Sequence, residues 1–324
     1  MIAHEPLLVK LVRLIDTMPM PQRPKHGPGR PLIYHDRLFL KALIIMVVKR
    51  LHKVGELRSV LEEPAMKSLK DLLTIDGRYP SRSTFERRLA RLPETLPAQI
   101  GCFGRHLVRL IDPWATSGRA AALDSTVLRA KGGLWHKKDR DKGLVPHTRI
   151  DTEAAWTKSG WHGWVYGWKL HLAVCVSSVW IPLAAVLRPA NEADNQVAPA
   201  LIAELPHQTR FVLGDLHYNA PNVAQACFER SFLLVTTQYG PYPHTDDGVE
   251  VRRVFHKLRS VANENFNEHF KAIFEGHEQV PTKGLVATQR FALGAILLYQ
   301  LALLYRYEQG LKLNIGLKAF IRAA

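Results

Sequence analysis

Three acidic positions in this sequence are candidates for chemistry. Asp124 sits inside an apolar run, with Ala120, Ala121, Ala122 and Leu123 before it and Val127 and Leu128 after it. An ionised carboxylate in such a strand is costly unless it is paired, hydrogen-bonded or bound to a metal. Asp215 closes the apolar run Phe211-Val212-Leu213-Gly214. It falls at the C-terminal edge of a strand, where open α/β sheets bind ligands. If the two strands are neighbours the carboxylates meet; singly, an Asp at a strand end is commonly a turn or capping group. The third acid comes from a helix expected over about 254–275. Phe255, Leu258, Ala262, Phe266, Phe270 and Ile273 step by three or four and form an apolar stripe facing a sheet. Lys257, Ser260, Glu264, Glu268, Lys271 and Glu275 form a polar row beside it. Glu264 and Lys271 share a face, roughly 10 Å apart along the axis. A carboxylate there binds a metal while the ammonium holds a phosphate. The plainer alternative is a solvated face with a Glu268–Lys271 pair worth little.

Positioning such groups needs a folded scaffold, and the composition provides for one. The chain has 324 residues and is 47% hydrophobic, enough for one large core or a core plus a smaller domain. Net charge is +15, and the excess is front-loaded: residues 1–110 hold 20 Lys and Arg against 10 Asp and Glu. That field suits a polyanion, because each cation set against a phosphate releases a condensed counterion. Cys102, Cys175 and Cys227 form no CxxC pair and no disulfide framework, which fits a reducing cytoplasm. No set of Cys and His has zinc-ligand spacing. The N-terminus lacks a secretory pattern. The run Phe291–Tyr305 contains Gln300 and falls short of the ~20 residues of a membrane span. It reads as a buried helix of a soluble protein with no membrane partner.

The pattern divides the chain into residues 1–31, a basic Pro-rich arm or linker, 32–112, a helical domain, and 113–324, an α/β domain. Helices are expected from Asp36 to about Leu51, over 55–63 and over 66–74. A fourth opens at Ser83, with a capping box formed by Ser83 and Glu86. In it Phe85, Leu89 and Leu92 share one face, while Arg87, Arg88 and Arg91 occupy another. This resembles a helix-turn-helix DNA reader. Beyond it come a strand over 118–127, a basic loop over 129–163 and a strand over 164–176. In that strand Trp164, Tyr166, Trp168, Leu170 and Leu172 alternate with Lys169 and His171. A hairpin partner follows at 181–187, then a helix at 194–205, the strand of Asp215, and a strand over 232–236. A loop holding His244, Asp246 and Asp247 precedes the helix of Glu264. The order implies a mixed sheet flanked by helices. Trp161, Trp164 and Trp168 either stack on unpaired bases or fill the core. His217 either tunes the site or is structural.

Several of these stretches agree with one family. LRSVANENFNEHFKAIF resembles the C-terminal signature of DDE-type insertion-sequence transposases, in which the final Glu precedes a Lys by seven residues on one helix. AALDST and FVLGDLHYNA resemble the first and second Asp segments, and WVYGWKLHLAV the strand after the first Asp. The resemblance spans nearly the whole chain. It implies a ribonuclease H-like mixed sheet flanked by helices, preceded by an all-α N-terminal DNA-binding domain. It also implies that Asp124, Asp215 and Glu264 hold Mg²⁺, with Mn²⁺ as a substitute, and catalyse DNA strand cleavage and 3′-OH strand transfer. Glu268 is the fallback third ligand. The implied DNA contacts are Lys271, Arg259, Lys169, Arg87, Arg88 and Arg91. Partners would be double-stranded DNA, namely terminal inverted repeats and target DNA, bound by a dimer at the nucleoid. One departure stands out: Arg259 precedes Glu264 by five positions rather than four, about 140° away around a regular helix. His256 occupies the family's Tyr position. Two other readings share the scaffold: a DNA-binding regulator without catalysis, and a Mg-dependent nuclease without strand transfer.

Overall fold

The computed structural model describes residues 5–22, 33–111, 119–160, 163–236, 246–271, 273, 279–314, 316 and 320. Five helices come first: α1 (Leu7–Thr17), α2 (Asp36–Val48), α3 (Val54–Leu61), α4 (Lys67–Asp71) and α5 (Arg82–Ile111). Then follow β1 (Ala120–Arg129), α6 (Lys137–Arg140), β2 (Ala155–Ser159), β3 (Gly163–Cys175), β4 (Pro182–Pro189), α7 (Asp194–Glu204) and β5 (Phe211–Leu213). The chain continues through α8 (Pro221–Glu229), β6 (Leu233–Val235), α9 (Asp246–Lys271) and α10 (Leu285–Glu308).

The sheet is mixed and ribonuclease H-like. β3 is antiparallel to both β1 and β4, while β1, β5 and β6 run parallel to one another. β2 extends the sheet by pairing with the first residues of β3. Helix α7 touches β1, β3 and β4, and α9 touches β1, β3 and β5. The order of elements matches the sequence expectation, with α6 and β2 added inside the stretch expected to be a loop.

Helix α10 is apolar on every side, the pattern of a helix enclosed by protein or lipid. It is longer than expected, and its length and composition would also suit a membrane span. Here it is enclosed by protein: residues Phe291–Leu304 are buried, and the helix packs on α2, α5 and β4. Gln300, the polar interruption of the apolar run, donates to the carbonyls of Ile100 on α5 and Pro182 on β4, both at 2.9 Å. Gly104 permits this close approach, since a Cβ there would lie 2.4 Å from the Pro182 carbonyl oxygen.

The N-terminal region departs from the arm expected over 1–31. Residues 7–17 are helical because Leu8, Leu11, Val12 and Ile15 form a buried stripe at helical spacing. Lys41 pairs with Asp16 at 2.8 Å, Arg37 donates to the Met18 carbonyl at 2.8 Å, and Gln99 donates to Pro19 at 2.8 Å. The most Pro-rich part, 23–32, lies outside the described residues. At the start of α5 the cap is Ser81 rather than Ser83. Its Oγ accepts the Thr84 N–H at 3.3 Å, and Glu86 pairs with Arg82 at 2.8 Å.

Candidate active site

Strand register sets the segments that lead to the first two acids side by side. β1 and β5 pair in parallel as Ala120 with Phe211, Ala121 with Val212 and Ala122 with Leu213. Each partner lies 91 residues on, and the same offset carries Asp124 to Asp215. β5 ends at Leu213, so beyond that point the edge of β1 is open. There Asp124, Ser125, Thr126 and Val127 line a cavity of about 480 Å³ with Asp215 and Ser159. Its other wall is α9, which presents Arg259, Ser260, Asn263, Glu264, Asn267, Glu268 and Lys271.

Asp215 is oriented by the turn that follows it. Its Oδ1 accepts the backbone N–H of His217 at 2.8 Å, while the His217 side chain is exposed. Asp124 is held differently. Burial raises its carboxyl to about 6, and Asp215 and Asp194 push in the same direction. A hydrogen bond from the Ser125 backbone and the charge of Arg259 only partly offset this. Arg259 thus reaches the site from the Asp124 side, and its angular offset from Glu264 is no obstacle to that approach.

Helix α9 is fixed to β1 by two asparagines that sequence reasoning passed over. Asn263 donates to the Leu123 carbonyl at 3.4 Å, and Asn267 stands 3.5 Å from Asp124 Oδ2. Asn263 is fully buried between Ala262 and Phe266, so the signal was a polar residue inside the expected apolar stripe. That stripe holds for Ala262, Phe266, Phe270 and Ile273, whereas Leu258 is exposed. The helix begins at Asp246 rather than near 254, so Asp246 and Asp247 belong to it and not to a loop.

Glu264 and Glu268 line the cavity from an exposed face of α9. Among the described residues no three carboxylate, imidazole or thiol groups lie close enough together to hold one ion. The structure therefore gathers Asp124, Asp215, Glu264 and Glu268 around one cavity without closing them into a single cluster.

Residues 115–301 match the family described as Transposase DDE domain. The chain belongs to that family. Two solved structures overlap it faintly. One is a Mos1 transposase paired-end complex with left transposon end, 14% identical, covering 74% of this chain and 80% of that one, with a TM-score of 0.21. The other is a pre-cleavage Mos1 transpososome, 14% identical, covering 89% and 80%, also at a TM-score of 0.21. Superpositions that poor bear no weight for fold or site. No curated protein sequence matches the chain.

DDE transposases typically use a divalent metal, and the donors here suit one in kind. Carboxylate oxygens are hard ligands of the type Mg²⁺ and Mn²⁺ prefer. Burial raises the Asp124 carboxyl, and a cation bound beside it would favour its ionised form. Asp124 and Asp215 offer such oxygens from the sheet side of the cavity, and Glu264 and Glu268 from α9.

Other expected contacts fare unequally. Arg87 and Arg91 are exposed on α5. Arg88 is not free to read DNA, because it forms an ion pair with Asp36 and lies 4.7 Å above the Phe39 ring. Lys169 is likewise engaged: its Nζ lies 3.2 Å from Asp194 Oδ1 and donates to the Glu192 carbonyl at 3.1 Å. Lys169 and His171 face α7, and the Nδ1 of the fully buried His171 stands 3.3 Å from the same Asp194 oxygen. Burial works against the Asp194 charge, but His171, Lys169 and Ser125 outweigh it and hold the carboxyl at about 2. Trp168 is core, Trp164 is 66% exposed, and Trp161 and His244 lie outside the described residues. The basic residues Lys131, Lys137, Lys138, Arg140 and Lys142 are exposed, with Lys131 donating to the Pro281 carbonyl at 2.6 Å. Cys102, Cys175 and Cys227 form no disulfide with one another.

Proposed function

We propose that this chain is the transposase of a bacterial insertion sequence, cutting the element's ends and joining the exposed 3′-OH to target DNA. The observation that carries the reading is the cavity at the open edge of β1, lined by Asp124 and Asp215 together with the acidic row of α9. Mg²⁺, or Mn²⁺ in its place, would supply activation of the attacking oxygen and stabilisation of the leaving one. Asp124 and Asp215 would hold it from the strands. Glu264 would complete the set from α9, with Glu268 the alternative one turn on. Arg259, beside Asp124, offers a guanidinium to the scissile phosphate. Lys271, two turns beyond Glu264, takes a phosphate further along the strand. In cleavage, the oxygen of water attacks phosphorus and the 3′ oxygen leaves as a 3′-OH; in joining, that 3′-OH attacks a phosphodiester of the target, whose own 3′ oxygen leaves and takes up the proton. Arg87 and Arg91 on α5 present an exposed cationic face to duplex DNA. A dimer holding both terminal inverted repeats, acting at the nucleoid in the cytoplasm, is part of the proposal.

The test is to incubate the protein with DNA carrying both element ends and Mg²⁺. Nicking with end-joining supports the reading. Binding without cutting would make the protein a regulator on this scaffold, and cutting without joining a nuclease; either result overturns strand transfer.

A further inference from the structure

Helix α9 reaches Asp124 through an amide. Asn267 Nδ2 donates to Asp124 Oδ2 at 3.5 Å. Four residues earlier, Asn263 Nδ2 donates to the main-chain carbonyl of Leu123 at 3.4 Å. Two asparagines one helical turn apart thus meet consecutive residues of β1, the first by its backbone and the second by its carboxylate. Both line the cavity that holds Asp215, Glu264 and Glu268. The contact to Asp124 is long, and such contacts are often long until a ligand draws the groups together.

Nothing local calls for an amide at position 267. It lies inside α9, where asparagine is a poor helix former. Its Oδ1 is enclosed and has no hydrogen-bond partner among the described residues, which is destabilising. Leucine has nearly the same shape, favours the helix and carries no orphan oxygen. What the amide alone supplies is the Nδ2 proton facing Asp124. Its neutrality matters as well. A lysine or arginine there would repel a cation bound to Asp124, whereas a carboxamide gives a proton without adding positive charge.

A second donor, the Ser125 backbone N–H, serves the same carboxyl. A carboxylate offers about four lone-pair sites. Two donors set the plane of the group and leave the other sites for an ion.

We infer that Asn267 is a positioning residue for Asp124, its amide proton orienting the carboxylate so that a lone pair faces the divalent ion of the cavity. The inference rests on the proposed metal site and deepens it. Donors behind a ligating group are commonly worth roughly 10- to 100-fold in metal affinity.

The experiment uses the full chain as wild type, Asn267→Leu, Asn263→Ala and Asp124→Ala. Mn²⁺ binding is followed by calorimetry and by the loss of the free-ion paramagnetic resonance signal, and metal-free thermal midpoints by circular dichroism. Asn267→Leu should bind Mn²⁺ at least about 10-fold more weakly, with a midpoint equal to or above that of wild type. Asn263→Ala, which loses a main-chain tie, should lower the midpoint and weaken Mn²⁺ less than Asn267→Leu does. A Mn²⁺ affinity of Asn267→Leu within twofold of wild type overturns the inference. Equal weakening by the two asparagine variants, or a lower midpoint in Asn267→Leu, overturns it too, since the amide would then act by holding α9 on β1. Asp124→Ala separates this from the larger reading. If it weakens Mn²⁺ binding while Asn267→Leu does not, only the role of Asn267 falls. If Asp124→Ala binds Mn²⁺ as wild type does, the metal site itself is wrong and the inference falls with it.

Discussion

The two walls of the cavity are built on different principles. On the sheet side, Asp124 and Asp215 follow strands held in backbone register, paired at positions two to four residues before each acid. On the α9 side, acids and amides rise on one helix surface, with Asn263 and Asn267 turned to β1 and Glu264 and Glu268 beside them. A strand can place a side chain on only two faces, whereas a helix offers a new direction every 100°. The strand acids are therefore determined, and the helix acid is a choice between neighbours.

The comparison breaks most visibly if the strand acids are removed. Asp124→Ala and Asp215→Ala should each lower end cleavage at least about 10³-fold, with end binding in a gel-shift assay nearly unchanged. Cutting at the wild-type rate by either variant would end the assignment. On the helix wall, Glu264→Gln and Glu268→Gln should differ. Glu264→Gln is expected to lose on the order of 10²-fold in single-turnover cleavage, and Glu268→Gln to remain close to wild type; the reverse pattern would move the third ligand one turn on.

The electrostatic difference gives a smaller effect. Because the folded Asp124 carboxyl is raised to about 6 from 3.8, the native state favours the proton. The associated stability is present below about pH 4 and is lost as pH rises through 6. In metal-free protein, Asp124→Asn should therefore be the more stable at pH 8, by on the order of 2–3 kcal/mol. The gain should vanish by pH 4 in denaturant titrations, and a pH-independent difference would show that the carboxyl is not perturbed. Smallest is Asn263→Ala, which removes the long tie between α9 and β1 and should cost about 1 kcal/mol. Its hydrogen-exchange signature is faster opening of α9 with β1 unaffected.

How far the sequence disclosed all this depends on the kind of signal. Asp124 and Asp215 drew notice because a charge inside or closing an apolar strand is conspicuous; the mixed sheet followed from strand and helix periods, and its ribonuclease H-like form from the family resemblance. The helix over 7–17 was obscured by the prolines beside it, although its apolar stripe was present. The cap was misplaced by two residues because Ser81 and Ser83 offer the same hydroxyl. Tertiary partners were beyond reach. No local pattern says that Arg88 is taken up by Asp36 and Phe39, or Lys169 by Asp194 and Glu192. Asn263 and Asn267 looked like ordinary polar residues until the packing of α9 on β1 set them beside Leu123 and Asp124.

The most direct test places the ion itself. Fe²⁺ loaded in place of Mg²⁺, with ascorbate and peroxide, generates hydroxyl radicals that cut the backbone within a few ångströms of the metal. The account predicts three groups of cuts, around Asp124, around Asp215 and across 263–268, all lost in Asp124→Asn. Cuts elsewhere, or a pattern that Asp124→Asn leaves intact, would contradict it.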